Sequence, residues 1–388
     1  MTRRPGVICF AAQDWWYHNR AHSEVQLMLR IARTQPVLLV NSIGMRTPRP
    51  GRTSQAGRRI VRKVGSIARG LRRPVDGLPN FHVLSPVTVP MLGNDLVRAA
   101  NTASVRTQVE LAARSIGIED PAIFVTIPTA WDVIQGMHRR TLLYNRADKH
   151  SAFGDIDRPA IEALERDLLR TSDHVLYVSH ALLDAERALT GDRAVFLDHG
   201  VDLEHFRPRP PTEEPDDLAP IPHPRIGFFG GINDYTVDVP LLERTAREIP
   251  DAQLVLIGDS TVPMNGLESL PNVHWLGFRP YERIPAYASG FDVALMPWCD
   301  SEWIAACNPV KMKEYLALGL PVVSTEFPEV HRYDKVLTVA RDADDFVSAV
   351  RGRLADRGPG TPADRRAAVA GDAWDRRADE VLSLMRLR

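Results

Sequence analysis

Short runs of β-branched and aromatic residues recur along this chain, separated by stretches in which apolar side chains return every three or four positions. In the first half the extended runs are Val7–Phe10, Val37–Val40, His82–Leu84, Ala122–Thr126, Leu142–Tyr144, Val175–Val178 and Ala194–Leu197. Helical periodicity marks Ser23–Ala32, Asp95–Ser115 and Ile161–Leu169 between them. Strands alternating with helices predict a parallel sheet covered on both faces. The pattern breaks between Pro208 and Pro224, where seven prolines and four acidic residues crowd seventeen positions. Such a stretch cannot run through a helix or a sheet interior, and it reads as a linker or strap.

Beyond it the alternation restarts with Ile226–Phe229, Leu254–Ile257, Val273–Leu276, Val293–Met296, Val322–Ser324 and Val336–Val339. The expected architecture is α/β: two doubly wound Rossmann-like domains facing a central cleft, where ligands of such folds bind. The boundaries read as an N-terminal domain over 1–205, a linker over 206–224, a second domain over 225–365, and a closing segment over 366–388. Helical spacing across Ala363–Arg388 predicts one amphipathic helix there. It is expected to return to the first domain.

Length agrees with two domains, since 388 residues exceed one ordinary core. The composition, 44% hydrophobic and 25% charged, is that of a globular chain, and a net charge of −1 argues against a molecule built to bind nucleic acid. No apolar run approaches the ~18 residues of a membrane span. At the N-terminus, Val7–Ala12 is too short for the core of a secretory leader and Asp14 interrupts it, so the run reads as a first buried strand. Three cysteines without a CxxC pair exclude a disulfide scaffold and suit a reducing cytoplasm. Histidines and carboxylates show no metal-ligand spacing, and the GxxxxGK[ST] and GxGxxG signatures are absent.

The most informative segment is NPVKMKEYLALGLPVVST, Asn308 to Thr325. A helix starting just after Pro309 and ended by Gly319 would aim its free N–H groups and partial positive charge at the ligand edge of the sheet, a seat for a diphosphate. Lys311 adds a full charge, and Glu314 one turn on could accept hydrogen bonds from a ribose diol. Taken alone, each could equally be a solvated helix-face residue. Gly230–Gly231 ends the first strand of the second domain, as a simple turn or as a point of close ligand approach.

This segment resembles the donor-binding motif of retaining glycosyltransferases of the GT-B fold. DHGVDLEHFRP (Asp198–Pro208) looks like the interdomain turn of that family. PRIGFFGGI (Pro224–Ile232) resembles its first C-domain strand and glycine turn, and LPNVHWLGFRPYERIPAYASGFDVALMPW (Leu270–Trp298) the elements that precede the donor motif. Within that clan the likeness is to the family-4-like, teichuronic-acid-type branch. It covers the first domain more thinly, through LLYNRADKHSAF and ERDLLRTSDHVLYVS. The resemblance implies metal-independent sugar transfer, with Glu314 in the place of the ribose-holding second glutamate of an E-x7-E motif. The first glutamate is absent, because Ala306 stands eight residues earlier, and no basic residue follows Gly231 directly. Asn308 and Lys311 become the candidates for contacts to the donor sugar and phosphates.

In the first domain, the loop Gln13–His22 gathers Asp14, Trp15, Trp16 and His18. It reads either as an aromatic plug on the sheet end or as an acceptor site that stacks on sugar rings. Asp148 and His150 follow a strand in a comparable position, as candidates to orient the attacking hydroxyl or take its proton, with a structural hydrogen bond as the alternative.

The expected function is retaining transfer of a sugar from a nucleotide-sugar to a glycan or lipid-linked acceptor in cell-envelope polysaccharide or related synthesis, with no cofactor and no metal. The rival readings are a nucleotide-sugar epimerase of the same fold and a degenerate, non-catalytic binding partner. One segment adds a further candidate partner. Residues 46–73 carry ten Lys or Arg and no acidic residue, with Ile60, Val61, Val64, Ile67, Ala68 and Leu71 at helical spacing. That pattern suits an anionic membrane surface, here the inner face of the membrane, as well as an ordinary solvated helix, a basic loop or a polyanion patch.

Overall fold

The computed structural model of the chain describes residues 3–17, 20–43, 56–88, 95–153 and 156–387, with the side chains of 56–60, 63 and 95 outside that set. The chain divides into two compact units, one formed by Met1–Asp198 with Trp374–Arg388, the other by His199–Ala373.

Among the described residues, the first unit has eight strands: β1 (Val7–Phe10), β2 (Val37–Val40), β3 (Leu71–Arg72), β4 (Phe81–Leu84), β5 (Ala122–Val125), β6 (Thr141–Arg146), β7 (His174–Tyr177) and β8 (Ala194–Phe196). Their order is β3-β4-β2-β1-β5-β6-β7-β8, parallel throughout except for the antiparallel β3–β4 pair. The central strands are buried on both faces, which is why they are continuous apolar runs rather than alternating ones. The short β3 carries Leu71 and Arg72, too little pattern to be seen in the sequence.

The second unit has a six-stranded parallel sheet in the order β11-β10-β9-β12-β13-β14. Its strands are β9 (Arg225–Phe229), β10 (Gln253–Ile257), β11 (Val273–Gly277), β12 (Val293–Met296), β13 (Val322–Thr325) and β14 (Thr338–Ala340). Strand order reverses at β1 in the first sheet and at β9 in the second. The loops leaving β9 and β12 therefore diverge, opening the switch-point crevice of a doubly wound sheet.

Two expectations need correction. The proline-rich stretch is not a free linker. Leu218 and Ile221 are buried, the Arg209 backbone N–H donates to Ser289 Oγ at 3.0 Å, and Asp217 accepts from Tyr287 Oη at 2.7 Å. Arg225, 2% exposed, forms an ion pair with Glu214 and donates to the Ile221 carbonyl at 2.7 Å. Prolines that forbid a helix leave side chains free to strap the strand behind them. The second unit thus begins at His199, before the proline-rich stretch. The closing segment is likewise two helices, not one: Pro362–Val369 belongs to the second unit and Trp374–Leu384 to the first. Between them Ala373 bridges to Val201, and the Val201 N–H donates to the Asp372 carbonyl at 2.7 Å. The final helix packs on Ser23–Ile31, with Trp374 2% exposed and Asp375 paired to Arg33.

Candidate functional site

The helix Val310–Ala317 starts after Pro309, whose extended backbone (φ −75°, ψ 123°) delivers the chain without a side-chain cap. It stops at Gly319, where φ is +76°. Its first turn reaches the switch point of the second unit. There the Lys311 ammonium lies over two aromatic faces, 4.4 Å from the ring centroid of Phe228 on β9 and 4.6 Å from that of Trp298 just after β12. It also rests against the Gly230 turn, where an added β-carbon would come within 2.2 Å of Nζ. Gly258, after β10, is equally required, since a β-carbon there would meet the Gly230 carbonyl oxygen at 1.9 Å. Gly231 is exposed, with open space around it.

Glu314, 3% exposed, lies one turn along the same helix and accepts a hydrogen bond from the Tyr281 hydroxyl. Its Oε1 is buried without a hydrogen-bond partner among the described residues. Burial pushes this carboxyl up to about 8, against the opposing pull of Lys311 and Tyr281. Desolvation pushes the half-buried Lys311 down to about 8, with Glu314 acting to raise it. A buried carboxyl group with an unused acceptor and an ammonium laid over two aromatic faces form a site prepared for a ligand bearing both hydroxyl donors and negative charge. Asn308, 2% exposed, precedes the helix.

Tyr281 is itself held by the segment that follows the crossover. His205 stacks on its ring at 4.7 Å and contacts its carbonyl oxygen through Nε2 at 3.0 Å, while Phe206 packs edge-on at 5.6 Å. Tyr315, next to Glu314, receives the Phe229 N–H at 3.0 Å and fixes the helix to β9. Sequence reasoning gave no role to Phe228, Tyr281 or Trp298, although each lies within a quoted motif. Their roles depend on the fold bringing β9, β12 and the loop after β11 together.

The first unit treats its candidates differently. Asp14 Oδ2 accepts from Ser66 Oγ at 2.7 Å and its Oδ1 from the Trp16 N–H at 3.0 Å. The Trp15 N–H donates to Asn41 Oδ1 at 2.9 Å, and the Trp16 indole N–H to Ser85 Oγ at 3.0 Å. Trp15 is 8% exposed and packs on Phe81. Asp14 and Trp15 thus have interior structural work, while Trp16 keeps part of its surface. His18 lies outside the described residues.

His150 is 1% exposed, and burial together with the Arg146 charge pushes its imidazole down to about 3. A neutral, enclosed ring of that basicity is a poor proton acceptor. Arg146, 2% exposed along its side chain, pairs with Glu165 and with Glu186 at 2.8 Å, and donates to the Asp148 carbonyl at 2.9 Å. This buried network shapes the turn on which Asp148 stands half-buried. Among the described residues, no three His, Cys, Asp or Glu side chains group as a metal site.

Residues 223–356, the stretch that holds β9 to β14 and the helix of Lys311 and Glu314, match the model of the family described as glycosyl transferases group 1. A Bacillus subtilis (strain 168) protein, TuaH, named for a glycosyltransferase role in teichuronic acid biosynthesis, is 26% identical over 233 residues. That match covers 57% of this chain, and it spans 58% of the length of the relative. Among solved structures, sucrose-phosphate synthase from Thermosynechococcus elongatus superposes with a TM-score of 0.71 at 16% identity, covering 99% of this chain and 98% of that one. Anabaena HepE in complex with UDP-glucose gives 0.65 at 16%, covering 97% and 99%. The E. coli trehalose-6-phosphate protein bound with UDP-2-fluoro glucose gives 0.65 at 12%, covering 99% of each chain. The two parallel-sheet α/β units share the fold of these solved structures, which are GT-B glycosyltransferases.

Proposed function

We propose that the chain is a retaining glycosyltransferase that moves a sugar from a nucleotide-sugar donor to a glycan or lipid-linked acceptor in cell-envelope polysaccharide synthesis. The observation that carries this reading is the conjunction of Lys311 and Glu314 at the β9–β12 switch point, inside the stretch that matches the group 1 family. In this reading Glu314 takes the ribose diol on its unused Oε1. Lys311 and the free N–H groups at the start of its helix face the diphosphate, and stabilise the charge that develops as it leaves. No metal is needed for that role. The absence of a glutamate at Ala306 leaves contacts to the donor sugar to Asn308 and to backbone at Gly230–Gly231. Asp148 remains the candidate to orient the attacking hydroxyl, since His150 is enclosed.

Ala306, 7% exposed, also favours a second reading: a protein that binds the nucleotide without transferring the sugar. Incubating the chain with a panel of nucleotide-sugars and polyprenyl-linked or oligosaccharide acceptors separates the two. The first reading predicts release of nucleoside diphosphate that depends on acceptor, with a product that keeps the donor's anomeric configuration by NMR. Saturable nucleotide binding with no acceptor-dependent release would support the second.

A further inference from the structure

We infer that the loops after β9 and β12 form an aromatic, acidic lip that selects the donor sugar, accepting a neutral pyranose and rejecting a uronic acid. This rests on the nucleotide-sugar reading above and deepens it at the same switch point.

The backbone lays the two loops together. Val237 bridges antiparallel to Trp298, the Cys299 N–H donates to the Thr236 carbonyl at 3.0 Å, and the Asp238 N–H donates to the Pro297 carbonyl at 2.8 Å. The second loop then leaves and returns, its ends meeting where the Lys311 ammonium lies over the Trp298 ring. Between those ends, the short helix Glu302–Ala305 is capped by the Ser301 hydroxyl, which accepts from the Ile304 N–H at 3.2 Å. A loop closed in this way is compact and holds its side chains in place.

Tyr235 from the first loop and Trp303 from the second pack edge to face, their ring centroids 6.3 Å apart and their planes at 76°. Tyr235 is still 52% exposed. Such a pair offers a rigid apolar surface with a polar tip, suited to the C–H face of a sugar ring. Next along the chain, the Ala306 N–H donates to the Trp303 carbonyl at 3.1 Å, and the Ala306 methyl offers a sugar hydroxyl no hydrogen bond. Trp298, 7% exposed, has an indole N–H buried without an acceptor among the described residues, a donor at the foot of the same loop.

Charge sets the direction of the selection. Asp234 and Asp238 flank Tyr235, Asp300 and Glu302 precede Trp303, and neither 230–243 nor 297–310 contains a Lys or Arg. Asp234, Asp300 and Glu302 are exposed, and neither Asp234 nor Asp300 forms an ion pair among the described residues. Burial pushes the Cys299 thiol up, and the charges of Asp238 and Asp234 push it further, so their field reaches the base of the loop. A diphosphate still meets Lys311, whereas a carboxylate on the sugar would meet like charge. A neutral ring loses nothing there and keeps the aromatic contact.

Titration calorimetry tests this with UDP, ADP, GDP and dTDP, then with the glucose and glucuronic acid conjugates of the one bound best. The glucuronic acid conjugate should bind about fivefold more weakly than the glucose conjugate, the scale of one close charge contact in water. Added salt should narrow that gap, and Asp234→Asn with Asp300→Asn should narrow it too. Tyr235→Ala should weaken the glucose conjugate about fivefold and leave the nucleoside diphosphate unchanged, while Tyr235→Phe keeps the stacking and binds like the parent. Equal affinity for the two conjugates, a gap indifferent to the two aspartates, or equal weakening of diphosphate and conjugate in Tyr235→Ala would overturn the lip and leave the nucleotide site standing. Failure of the parent to bind any of the four diphosphates would overturn both.

Discussion

The ammonium of Lys311 stands where a β-carbon on Gly230 would have to go, the two separated by only 2.2 Å. Gly230 also holds φ at +138°, a conformation that side chains other than glycine rarely adopt. The first strand of the second unit therefore ends in a turn that serves both the backbone and the cation beside it. Gly230→Ala should displace Lys311, strain the turn and lower stability by about 1–3 kcal/mol. Nucleotide affinity should fall more steeply than in a variant destabilised equally elsewhere. Urea unfolding together with nucleotide titration checks both effects.

Proton linkage at Lys311 gives a second prediction. Its ammonium is held down to about 8 in the free protein, and a bound diphosphate would favour the charged form. Affinity for the donor should therefore be level below about pH 8 and fall above it, by up to about tenfold per pH unit. Glu314 raises the Lys311 pKa, so Glu314→Gln should move the bend to lower pH. Lys311→Met should bind more weakly and lose the part of the bend that Lys311 contributes, leaving only what Glu314 adds. Titration calorimetry from neutral to mildly alkaline pH would show whether the bend follows these substitutions.

Lys313 makes a different use of its charge on the same helix. Fully buried, it donates to the His199 carbonyl at 2.6 Å and pairs with Asp372 at 3.0 Å, tying together the two ends of the second unit. Lys313→Met would leave the Asp372 carboxylate without this partner. It should destabilise the second unit by about 3–5 kcal/mol, read by denaturant unfolding.

Acid should loosen the first unit through His150. Its imidazole is pushed down to about 3 when folded, against an ordinary value of 6.5. The unfolded chain therefore takes up a proton first, and stability is lost as pH falls from about 6.5 toward 3. The slope reaches about 1.4 kcal/mol per pH unit at most from this group. His150→Gln should remove that part of the slope, measured as Tm against pH.

The sheets were legible because buried parallel strands are continuous apolar runs: Val7–Phe10, Val37–Val40 and Val293–Met296 coincide with β1, β2 and β12. The donor helix was legible because Pro309 and Gly319 punctuate it. The proline-rich stretch misled because its composition reports what the backbone cannot form, and not what Leu218 or Glu214 can pack against. The closing segment kept helical spacing across a break that the Val201–Ala373 bridge imposes from far away in sequence. His150 looked reactive in the sequence, where nothing shows that Arg146 and burial enclose it. Tyr281, Phe228 and Trp298 converge on the site from three loops and strands, and no spacing in the chain records that meeting.

The donor site stands or falls on Glu314. Calorimetric titration of the parent and of Glu314→Ala with a panel of nucleoside diphosphates should find saturable binding in the parent. The variant should bind about 1.5–3 kcal/mol more weakly, the scale of a hydrogen bond to a charged group, while keeping its circular dichroism and cooperative unfolding. Undiminished affinity in a folded Glu314→Ala, or no binding of any nucleoside diphosphate to the parent, would contradict the assignment.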